Sequence, residues 1–91
     1  MSIQVNVIAA SYGGLRNGDK DNSQAVDVKA ALQNALSNAL KASPHGIVTI
    51  NNQNMGGDPA PGVLKHFGAI VEVDGTRYAF ACEENQTINF T

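Results

Sequence analysis

Residues 63–84 read VLKHFGAIVEVDGTRYAFACEE, with Asp74-Gly75 set between two runs rich in valine, isoleucine and aromatic residues. Asp-Gly suits a two-residue type I′ turn, because both central positions take φ > 0. Such a turn fixes the register of everything beside it. Val73 then faces Thr76, Val71 faces Tyr78, Ala69 faces Phe80 and Phe67 faces Cys82, and this face is apolar. The other face sets Glu72 against Arg77, Ile70 against Ala79 and His66 against Glu83, which predicts two opposite-charge pairs. A slip of one residue would mix the two faces. The stretch therefore predicts an antiparallel hairpin with one side to bury.

The rest of the chain supplies what can cover that side. SIQVNVIAAS at the start alternates Ile3, Val5 and Val7 with Gln4 and Asn6, the pattern of a strand with one buried face. Residues 12–27 read as a polar loop rich in Gly, Asn and Asp. In VDVKAALQNALSNALKAS, Val28, Ala31, Leu32, Ala35, Leu36, Ala39 and Leu40 recur at helical spacing. Asp27 is placed to cap this helix, and Ser43-Pro44 stops it. GIVTINN reads as a short strand, and QTINFT supplies a last strand with Ile88 and Phe90 inward. The 91 residues suffice for one core and are too few for two, which predicts a single domain over residues 1–91. The expected fold class is α+β, a small mainly antiparallel sheet with one amphipathic helix packed on one face. A β-sandwich with a short helix is the alternative.

Composition narrows the function classes. A net charge of −2 and six scattered basic residues offer no bulk attraction to nucleic acid or to an anionic membrane. The single Cys82 excludes an internal disulfide framework and any multi-cysteine metal site. No run approaches a membrane span, and the first residues lack the pattern of a secretory leader, so the default expectation is a cytoplasmic protein, with non-classical export as the other route.

Three short motifs lie in order along the chain: Ala10-Ser11-Tyr12-Gly13 closing an apolar strand, Asp27-Val28 ahead of Leu32-Gln33, and Asp58-Pro59 with Gly62 and Lys65 leading into another strand. Together the chain from Ile3 to Phe90 resembles the domain of unknown function found at the C-terminus of a subfamily of J-domain (DnaJ-like) proteins and in stand-alone bacterial and fungal copies. It differs in carrying Lys29 where that family usually has Thr after Asp-Val. The resemblance implies no catalytic residues. In the J-domain proteins the module is associated with assembly at mitochondrial membranes, and this chain carries no J-domain.

Residues 51–63 hold the densest special chemistry. Pro59 and Pro61 fix their own φ, while Gly56, Gly57 and Gly62 permit positive φ. Asp58 can close an Asx-turn, which makes the segment a rigid crossover. The same loop also offers Asn51, Asn52, Asn54 and Asp58 to a ligand. A second polar segment places Asp19, Asp21, Ser23 and Asp27 at positions 1, 3, 5 and 9 of a Ca²⁺ loop. Gln24 and Ala30 stand where the essential glycine and bidentate glutamate belong. His45, His66 and Cys82 have no partner spaced for a triad or a zinc site, and Glu83 and Glu84 point to opposite faces of a strand. Enzymatic activity and cofactors other than Ca²⁺ are not expected.

The leading expectation is a non-catalytic recognition module offering polar loops to a glycan, with Tyr12 as the stacking ring beside Asn52, Asn54 and Asp58. The alternative is a protein–protein or assembly module, in which an outer face carrying Ile70, Ala79 and Lys65 pairs with a partner sheet or a second copy. The third is a Ca²⁺-binding domain built on Asp19, Asp21 and Asp27.

Overall fold

The computed structural model describes residues 3–14, 20 and 23–91. Their elements run β1 (Val5–Gly14), β2 (Ala25–Asp27), α1 (Lys29–Ala42), β3 (Ile47–Thr49), β4 (Lys65–Val73), β5 (Thr76–Glu83) and β6 (Thr87–Asn89). β2, β1, β4 and β5 form a four-stranded sheet in that spatial order, and β3 pairs with β6 in a separate two-stranded ribbon. All pairings are antiparallel. The α+β class with one helix and a mainly antiparallel sheet therefore holds.

The hairpin has the register its turn dictates, from Val73 opposite Thr76 to His66 opposite Glu83. Asp74 and Gly75 take φ of 49° and 88°, as a type I′ turn requires. Asp74 also ties the turn to the start of the chain. Its Oδ1 accepts the N–H of Gln4, and its own N–H donates to the Gln4 carbonyl.

Segregation of the two sheet faces builds the core. Val7, Ala10 and Tyr12 of β1 and Phe67, Ala69 and Val71 of β4 turn to one side, and a bulge between Val7 and Ala9 restores that phase after Ile8. Leu32 and Leu36 of α1 join them, with Val48, Ile50 and Phe90 from the ribbon and its flanks. Phe90 seats between Phe67 and Phe80, with ring centroids 6.4 and 4.6 Å away. Helix and ribbon thus share the task of covering the inner face. The hairpin tip runs past them, so Tyr78 is on the inner face yet 49% exposed.

Three local expectations are corrected. Residues 25–27 are not loop but a short strand against Ser11–Gly13, which works because pairing there is by backbone and all three residues are exposed. The helix is capped at Val28 rather than Asp27, although Asp27 Oδ1 still accepts the N–H of Lys29 at 2.9 Å. The terminal strand joins β3 instead of the main sheet.

Candidate functional site

Two surfaces compete for the role of site, the 51–63 loop and the outer face of the four-stranded sheet. In the loop, Asp58 closes the expected Asx-turn, its Oδ1 accepting the Ala60 N–H at 3.0 Å. The same oxygen meets Lys65 Nζ at 3.0 Å. Lys65 is 4% exposed, the one buried charged residue of the described core. Its ammonium donates to the carbonyls of Ala60 and Val63 at 3.1 and 2.8 Å and lies 3.6 Å from Glu84 Oε1. An ammonium has three protons and no acceptor, so a ring of oxygens of this kind satisfies it completely. The bond to Lys65 holds the Asp58 carboxyl below its ordinary range, and the Lys65 ammonium is held above its own by Asp58 first and Glu84 after it.

The loop asparagines also commit polar atoms to bonds within the protein, although Asn54 stays exposed. Asn52 Oδ1 accepts the Tyr12 hydroxyl at 2.7 Å. Asn51 Oδ1 accepts the N–H of Asn54, whose own amide donates to the Thr49 carbonyl. Burial pushes the Tyr12 hydroxyl above its usual pKa, with Glu84 acting in the same direction. Tyr12 is 0% exposed, which corrects its assignment as a stacking ring, since neither face is open to a sugar. It was drawn inside because Ala10, Tyr12 and Gly14 share the inner side of β1 after the bulge. Of the Ca²⁺ candidates, Asp19 and Asp21 lie outside the described residues, and Asp27 is engaged with the helix start. Among the described residues, no three His, Cys, Asp or Glu side chains cluster so as to hold a metal ion.

The outer face differs in kind. Lys65 does not belong to it, contrary to expectation, because Lys65, Phe67, Ala69 and Val71 alternate onto the inner side. The centre of the outer face is small or aliphatic. Ala9, Ser11, Gly68, Ile70 and Ala79 line an open groove of about 610 Å³, rimmed by Asp27 and Lys29. Ile70 is 37% exposed, and no described element lies over it. The molecule is 17 Å through its thinnest axis, room for the sheet and one covering layer only. Of the two expected charge pairs on this face, Arg77 Nε lies 3.9 Å from Glu72 Oε2, a loose exposed contact. His66 and Glu83 stand opposite but form no ion pair, and His66 Nδ1 is buried without a partner.

Sequence reasoning missed the role of Gln33. Its Oε1 accepts the Val7 N–H at 2.8 Å and its Nε2 donates to the Val5 carbonyl at 3.1 Å, so one side chain imitates a neighbouring strand. A glutamine at a half-buried helical position was the available signal. Among the described residues no helix is long and apolar enough to cross a membrane. Compared with known proteins, the chain matches no protein-family model, no curated protein and no solved structure.

Proposed function

We propose that this chain is a non-catalytic assembly module that takes a protein partner against the outer face of its four-stranded sheet. One observation carries the reading. Asn52, Asn54 and Asp58 each commit a polar side-chain atom to a bond within the protein, whereas the groove floored by Ala9, Gly68, Ile70 and Ala79 is open. An apolar floor with Asp27 and Lys29 in its lining, on a sheet face that also carries Glu72 and Arg77, suits a protein surface, which brings both a hydrophobic centre and a mixed-charge rim. The resemblance to the C-terminal domain of J-domain-like proteins points to the same class.

The test is a paired screen of the whole chain against a glycan array and against a displayed library of folded protein domains. Ile70→Asp serves as the control, placing a charge on the groove floor while leaving the inner core untouched. Protein binders that Ile70→Asp loses, with its circular dichroism unchanged, support the reading. Glycan binding that survives Ile70→Asp and disappears in Asn54→Ala would overturn it in favour of a polar-loop lectin.

A further inference from the structure

The sheet has two exposed edges, and the chain treats them differently. Beside β1, the groups left open beyond the short β2 are covered. Gln33 engages Val5 and Val7, and the Val28 N–H donates to the Ala10 carbonyl. An open edge is a template for pairing with another chain, and natural sheets close it with just such devices. Among the described residues the β5 edge is covered only at its end, where Gln86 engages Glu83. It runs eight residues without proline or bulge, from Thr76 to Glu83.

The phase of its hydrogen bonds is fixed. Glu84 donates its N–H to the Lys65 carbonyl, so the even-numbered residues of this strand turn their backbone groups to β4. Arg77, Ala79 and Ala81 turn theirs to the open edge, and all three are exposed. Glu83 faces the same way, but its N–H already donates to Gln86 Oε1 at 2.8 Å.

We propose that β5 pairs antiparallel with β5 of a second copy of this chain, about a two-fold axis at Ala79. The inference deepens the assembly reading and rests on it for the class of partner. In this register Ala79 faces Ala79 of the other copy and Arg77 faces Ala81, so every free backbone group of the edge finds a partner. Arg77, held only loosely by Glu72, comes diagonally beside Glu83 of the second copy, and the charge match occurs twice by symmetry. On the inner face Tyr78 comes to lie against Phe80 of the other copy, covering the ring that the helix and ribbon leave half exposed. Moving the axis to Phe80 would set the Arg77 N–H against Glu83, whose backbone Gln86 occupies. The Ala79 register alone uses all three free residues. It joins two sheets into one and lays the two grooves side by side.

Light scattering and backbone amide exchange over a concentration series test this on the whole chain, with Ala81→Pro and Ile70→Asp as variants. The wild type is expected to rise from 9.5 kDa to twice that mass, with the amides of Arg77, Ala79 and Ala81 gaining protection together. Ala81→Pro removes an edge N–H without touching the ladder to β4, and weakens pairing on the order of tenfold or more. Ile70→Asp pairs like the wild type. A chain that stays monomeric throughout, or a dimer whose edge amides exchange freely, overturns the proposal and leaves the outer-face reading to its own screen. A dimer broken by Ile70→Asp and spared by Ala81→Pro overturns it in favour of face-to-face contact. Should Ala81→Pro fail to fold, Arg77→Glu sets like charges together beside Glu83, and a dimer it does not weaken counts against the register.

Discussion

Lys65 Nζ, at the start of β4, and Asp58 Oδ1, in the middle of the preceding loop rich in proline and glycine, meet at 3.0 Å. The contact explains that loop. Gly62 takes positive φ between Ala60 and Val63, whose carbonyls both accept from the buried ammonium, and Asp58 supplies the counter-charge. The segment is a cradle for Lys65 before it is anything else.

Replacing Lys65 with Met is therefore expected to lower the melting temperature more than Asp58→Asn does. The first change orphans the Val63 carbonyl, takes one of two donors from the Ala60 carbonyl, which keeps the Val63 N–H, and leaves Asp58 and Glu84 without their cation. The second removes a single contact from the cation and keeps the others. Thermal unfolding of the two variants side by side checks the order.

The same pair predicts the pH dependence. Asp58 is lowered from 3.8 in the folded state, so its contribution is present above that value and is lost as pH falls through the folded pKa. Lys65 is raised from 10.5, so its contribution is present below that value and is lost as pH rises through the folded pKa. Stability from this source is level across neutrality and declines at both extremes. Asp58→Asn is expected to flatten the acid limb, which denaturant titrations at a series of pH values will show.

Tyr12→Phe removes the hydroxyl that donates to Asn52 and leaves the ring in place. The expected loss is about 1 kcal/mol, the net worth of an ordinary hydrogen bond. Asn52→Ala should cost about the same in urea unfolding, and the double variant less than the sum, because both remove one interaction.

Gln33→Ala uncovers the Val7 N–H and the Val5 carbonyl together. A loss of about 1–3 kcal/mol is expected, with faster exchange at the Val7 amide. The variant also gains a second open edge, so its mass by light scattering should exceed the dimer at high concentration.

Local chemistry made much of the fold legible. Asp74-Gly75 gave the register of β4 with β5 residue by residue, and the spacing of Leu32 and Leu36 gave the helix and its buried stripe. Where the signal was backbone pairing alone, as in β2, the side chains carried no trace of it. Tyr12 beside two glycines looked like an exposed aromatic. The bulge after Val7 shifts the alternation by one and puts it in the core, and a bulge leaves no mark in the spacing of apolar residues. Lys65 shows the same limit, because a lysine reads as surface until the oxygens that surround it are known.

By itself the sequence determined every element whose reason lies within a few residues. The reversal at Gly75, the amphipathic helix, and the turn at Asp58 belong here, since φ preference, periodicity and short-range hydrogen bonds act locally. Only the tertiary structure decided that Gln33 would close one sheet edge and leave β5 open, that the ribbon and helix would share one face, and that the other would stay bare. Those outcomes depend on groups far apart in the chain meeting at atomic distance, and local spacing carries no information about which distant partner a free N–H will find.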